Sequence, residues 1–142
     1  QALEQRIKCS SVTGTDFDII HFAGHGRFDA ARPEDNAVVL ADGLLTDEQV
    51  LKLRWERPPF VVLNSSCESA RAAPGQRIVS NGRRSNGLAA AFLSRGVEGY
   101  LGHYFLVDDG SAAEFSETFY TTLLQRRNVG TAAFSTSSST CT

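Results

Sequence analysis

Phe17 to Gly26 reads FDIIHFAGHG, and Phe60 to Ala70 reads FVVLNSSCESA. Each stretch opens as a short apolar run and closes in small or polar residues. A continuous apolar run of this length suits a strand buried on both faces, as in a parallel sheet. The two runs are therefore expected to be neighbouring parallel strands, over Asp16 to Ala23 and Phe60 to Asn64. In open sheets of this kind, ligands sit beyond the carboxyl ends of the strands. His25 leaves the first run and Cys67 the second, so an imidazole and a thiol are expected at one edge. Gly24 and Gly26 flank His25 and let the backbone turn away sharply.

The surrounding chain supplies helices for such a sheet. Gln1 to Cys9 is expected as a short helix with Leu3 and Ile7 on one face. Ser10 to Thr15 reads as a turn, and Arg27 to Asn36 as a polar loop. Ala37 to Ala41 is a short strand followed by an Asp42-Gly43 turn signal. Thr46 and Gln49 have capping-box spacing, so a helix should follow, with Val50, Leu51 and Leu53 on its apolar face and Trp55 near its end. Pro58-Pro59 forces the chain extended into the second run. Glu68 to Ser85, with four arginines, reads as a long surface loop that could border the site. Loops of that length in compact domains are usually functional or disordered. Asn86 to Arg95 predicts a small-residue helix stopped by Gly96. Val97 to Val107 is the next strand candidate. Ser111 and Glu114 repeat the capping-box spacing ahead of a helix with Ala112, Phe115, Phe119 and Leu123 on one stripe. Gly130 to Thr142 is rich in Ser and Thr and is expected to be poorly ordered. Strands alternating with helices define an α/β domain with a mainly parallel sheet. The boundaries are a folded domain over 1–128 and a tail over 129–142.

Composition narrows the function. The 142 residues are 42% hydrophobic and 21% charged, with net charge −2. That balance gives no electrostatic case for nucleic acid or an anionic membrane. No apolar run approaches the roughly 20 residues of a membrane span, and the start carries no signal-peptide pattern. The chain begins at Gln1 without Met, which predicts a segment of something longer. Cys9, Cys67 and Cys141 are too few and too scattered for a disulfide framework, which points to a reducing, cytoplasmic setting. His21, His25 and His103 show no zinc-ligand spacing with them, so no metal and no cofactor are expected. The HFAGHG stretch lacks both phosphate-loop patterns.

A thiol nucleophile needs a base to ionise it and donors for the oxyanion. Cys67 is the candidate nucleophile and His25 the candidate base. The backbone N–H groups of Gly26 and Cys67 are the candidate oxyanion donors. His21 precedes the strand end and reads as a core or supporting residue, and His103 reads as structural. Cys9 and Cys141 lack an activating pattern. The dyad could serve an endopeptidase or another thiol hydrolase or acyl transferase.

Ile20 to Gly26 (IHFAGHG) followed by Phe60 to Ala70 resembles the CHAT domain family, caspase-like peptidases related to separase and often fused to tetratricopeptide repeats. Asn86 to Gly96 resembles that family's helix after the cysteine loop, Phe105 to Asp109 its strand-to-aspartate turn, and Phe119-Tyr120 its closing helix. The resemblance spans Asp16 to Leu124. It implies a caspase-like three-layer α/β sandwich and a His25–Cys67 dyad, whose spacing of 42 residues (25 to 67) is near the roughly 50 of caspase-type pairs. It also implies a polypeptide substrate, a regulatory partner or fused repeat domain, and a role in bacterial immunity or regulated cell death. Phe105 stands where the family usually has Trp. Ser65 stands where several caspase-like relatives place an acidic or amide residue lining the specificity pocket. Asp108 or Asp109 would then supply any pocket charge. The segment after Asn128 departs from the family's final helix. A catalytically inactive interaction module on the same fold is the alternative reading.

Overall fold

The computed structural model describes residues 17–29, 36–66, 87–103 and 106–139. The expected first helix, the Ser10 to Thr15 turn, Cys9, Cys67, Cys141, Phe105 and the Glu68 to Ser85 loop lie outside these residues. The chain divides after residue 105 into two compact units. Each is described by itself.

The first unit carries both apolar runs as strands. β1 (Ile19–Phe22) and β5 (Val61–Asn64) are parallel neighbours, and β6 (Gly99–Gly102) adds to β5 in the same direction. The sheet order β1-β5-β6 puts the most apolar run in the middle, and Val61, Val62 and Leu63 are fully buried. On β1 the pattern alternates, with Ile20 and Phe22 buried and His21 exposed. A central parallel strand is apolar on both faces, whereas an edge strand can wet one of them.

A second, antiparallel sheet departs from the sequence reading. β2 (Gly26–Arg27) pairs with β3 (Ala37–Leu40), which pairs with β4 (Gly43–Thr46). The loop expected from Arg27 therefore starts inside a strand. The hairpin β3–β4 turns through Ala41-Asp42, with Leu40 opposite Gly43. The strand GLLT went unread because it runs into a helix cap without a break.

α1 (Asp47–Lys52) begins at the expected box. The Thr46 hydroxyl oxygen accepts from the Gln49 N–H at 3.3 Å, and the Gln49 side chain accepts from the Thr46 N–H at 2.8 Å. The helix ends before Trp55, whose indole N–H instead donates to the Arg95 carbonyl at 2.8 Å. Arg95 Nε donates in turn to the Leu53 carbonyl at 3.0 Å. These two bonds tie the exit of α1 to the end of α2 (Leu88–Ser94). α2 stops as expected at Gly96, whose φ of +92° is the left-handed region. Gly96 N–H donates to Leu93 O and Val97 N–H to Phe92 O, which is the Schellman pairing, closed by contact in the core between Phe92 and Val97. A Cβ at Gly96 would lie 3.2 Å from Pro58 Cγ, so the turn is close-packed as well as left-handed.

The core joins α1, α2, one face of the parallel sheet, and Val38 and Leu45 of the antiparallel sheet. Phe92 is its centre, fully buried, with ring centroids 6.0 Å from Phe22, 5.9 Å from Tyr100 and 6.4 Å from Trp55. Each such side chain contributes about 1.5–3 kcal/mol through burial. β6 is shorter than the expected Val97 to Val107 strand, confined to Gly99–Gly102.

The second unit holds α3 (Asp109–Arg126) and α4 (Val129–Ser139). The N-cap of α3 is Asp108, not Ser111. Asp108 accepts from the Ser111 N–H at 3.0 Å and from its hydroxyl at 2.6 Å. Phe119 and Leu123 bury the expected stripe. Arg127 closes the helix in the left-handed region, donating its N–H to Leu123 O. α4 then occupies the segment expected to be poorly ordered. Its start is explained locally: Asn128 Oδ1 accepts from the Thr131 N–H at 2.9 Å, a cap that the weak apolar period had hidden, and Ala132 is fully buried.

Candidate functional site at the strand ends

The site is built by the register between β1 and β5. Phe22 lies opposite Asn64 as the last pair of the two strands. His25 is three residues beyond Phe22 (22 to 25), and Cys67 is three beyond Asn64 (64 to 67). Neighbouring strands are about 4.8 Å apart. The two strands therefore end side by side at one edge. Ser65 N–H donates to Phe22 O at 2.8 Å and extends the pairing one step past β5. Cys67 itself lies outside the described residues.

His25 is exposed between β1 and β2, reached through Gly24 at φ +153°. Its carbonyl accepts from the Val39 N–H at 2.9 Å. In an antiparallel ladder that bond makes the facing Gly26 and Val38 a non-hydrogen-bonded pair. The Gly26 N–H is thereby directed to the side away from β3, as a donor to a ligand must be.

Ser65 meets His21 rather than an acid. His21 Nε2 and Ser65 Oγ are 2.9 Å apart, joining side chains 44 residues apart across the strand ends. Ser65 is buried, and partial burial lowers the pKa of His21 below its ordinary 6.5. A neutral ring can donate to or accept from the hydroxyl, according to its tautomer. His103, just after β6, is shifted in the same direction by the same cause.

Beneath Ser65 sits a polar group the sequence reading did not single out. Asn64 is fully buried at the end of β5. Its Nδ2 donates to the Tyr100 hydroxyl at 2.9 Å, while its Oδ1 accepts from the Ser66 hydroxyl at 2.6 Å and the Ser66 N–H at 3.1 Å. Burial raises the Tyr100 pKa above its ordinary value, so the phenol stays neutral. An Asn where the apolar run VVL ends was the available signal.

The two aspartates belong to the second unit. Asp108 is exposed and serves as the cap of α3, and the Ser111 hydroxyl holds its carboxyl below the ordinary range. Asp109 is exposed in the first turn. Among the described residues, no group of three or more His, Cys, Asp or Glu converges as a metal ion would require. No helix among them is long and apolar enough to cross a membrane. A cavity of about 780 Å³ is lined by Leu51, Lys52, Arg54, Trp55 and Arg95.

A family model described as CHAT domain matches residues 1–139. No curated protein and no solved structure matches the chain.

Proposed function

The chain belongs to the CHAT domain family, and from that premise we propose that it is a cysteine endopeptidase with His25 and Cys67 as its dyad. The observation that carries this reading is the parallel register of β1 and β5, with Phe22 opposite Asn64 and each candidate residue three positions further on. His25 takes the thiol proton. The Cys67 sulfur then attacks the scissile carbonyl carbon, and the carbonyl π pair moves to oxygen. The N–H of Gly26, directed away from β3, and that of Cys67 are the donors for this oxyanion. Collapse breaks the C–N bond, and the leaving amine takes its proton from His25. Water, losing a proton to His25, cleaves the thioester and releases Cys67.

Ser65 as a small, buried, hydroxyl-bearing group gives no charge with which to select a basic substrate side chain. A caspase-like three-layer arrangement, control by a partner or fused repeat domain, and work in bacterial immunity or regulated cell death belong to the same proposal. They are supported by family membership.

Cleavage of an unstructured polypeptide, followed by mass spectrometry, tests the reading. We expect fragments from the wild-type chain and none from a folded Cys67→Ala variant. Equal cleavage by that variant would leave Cys67 without the assigned role.

A further inference from the structure

We propose that Asn64 and Tyr100 are positioning residues for the nucleophile, acting through Ser66 on the neighbouring Cys67. This rests on the cysteine-peptidase reading and adds a function for a group that the dyad alone does not use. An amide buried without hydrogen bonds costs several kcal/mol, so an Asn at 0% exposure at the end of an apolar strand requires partners. Those seen are unusually directed. One end of the amide is anchored on β6 by the Tyr100 hydroxyl, diagonal to Asn64 because Val62 is the residue opposite Tyr100. The other end holds both the N–H and the hydroxyl of Ser66. An Asn oxygen accepting the N–H two residues on is an Asx-turn, which bends the chain out of the strand. Ser65 is held independently by Phe22 O and His21. Both residues before Cys67 in the chain are thus fixed to the sheet. A nucleophile displaced by about 1 Å can cost 10²-fold in rate.

The test uses the full chain and the pH dependence of Cys67 alkylation by iodoacetamide, read by peptide mass spectrometry so that Cys9 and Cys141 are scored apart. Tyr100→Phe keeps the ring beside Phe92 and removes the hydroxyl. Ser66→Ala keeps the backbone N–H and removes the 2.6 Å donor. In both variants we expect an unchanged circular dichroism spectrum. We expect Cys67 alkylation at pH 7 to slow by a factor of about 2 to 10, the range that one hydrogen bond is worth. Its pH midpoint should rise toward the ordinary thiol value of about 8.5. A merely structural role would leave that midpoint where it is. Midpoints equal to wild type in both variants, with a midpoint that His25→Ala still raises, would overturn the positioning role and leave the dyad standing. A wild-type midpoint already at the ordinary value and indifferent to His25→Ala would overturn the dyad, and this inference with it.

Discussion

Asn64 and His21 each sit where an average residue of their type would be a poor choice, and Gly96 sits where any other type would be. Asn64 puts an amide at the end of a buried strand, and three atoms around it, the Tyr100 hydroxyl oxygen and the N–H and hydroxyl of Ser66, make that tolerable. His21 is exposed on β1 yet partly desolvated by burial, and its Nε2 meets Ser65 Oγ. Gly96 combines a left-handed φ with a wall at Pro58 Cγ. Gly96→Ala is expected to destabilise by more than about 1 kcal/mol, since an alanine there has neither the conformation nor the space. Urea unfolding measures this, and a neutral result would mean that Pro58 yields freely. At this scale the sequence was only partly legible. The stop at Gly96 follows from a helix pattern that ends there. The His21–Ser65 and Asn64–Tyr100 bonds join residues 44 and 36 positions apart, and neither pairing exists until the strand register does.

Helix ends and hairpins decide how far local pattern reading carries. The box at Thr46 and Gln49 is complete within four residues, and it forms as spaced. Two candidate caps competed at α3. Asp108 prevails over Ser111 because a carboxylate accepts from both the N–H and the hydroxyl of Ser111 at once. Asp108→Ala should therefore cost about 0.5–2 kcal/mol and some helicity. Ser111→Ala, which keeps the N–H bond, should cost less, and urea unfolding of both variants with circular dichroism compares them. A larger loss in Ser111→Ala would restore Ser111 as the cap. The hairpin β3–β4 and the two-residue β2 were missed for a physical reason. Strands this short carry too few alternations to separate from a loop or a helix entry, and their pairing partners decide them. The apolar character of the sequence runs on past Gly102, so it does not mark where the pairing seen among the described residues stops.

For the molecule as a whole, the two buried apolar runs made the parallel sheet legible and made β5 its centre. They also bring the C-terminal ends of β1 and β5 to one edge, because parallel neighbours share that end. Titration of His21 and His103 gives a whole-protein consequence. Both have pKa values lowered by burial, so between those values and 6.5 the unfolded chain binds more protons than the folded one. Their contribution is fully present above pH 6.5 and is lost as pH falls through the folded values. The melting temperature should therefore drop between pH 7.5 and 5.5, above the carboxylate range, and drop less in His21→Gln. An identical pH profile in that variant would assign the effect elsewhere.

The proposed chemistry depends most on one coupling, between the imidazole of His25 and the thiol of Cys67. The pH dependence of Cys67 alkylation in the full chain, measured beside a His25→Ala variant, reads it directly. We expect a wild-type midpoint below the ordinary thiol value of about 8.5, restored toward that value when His25 is removed. A midpoint at the ordinary value, the same with and without His25, would contradict it.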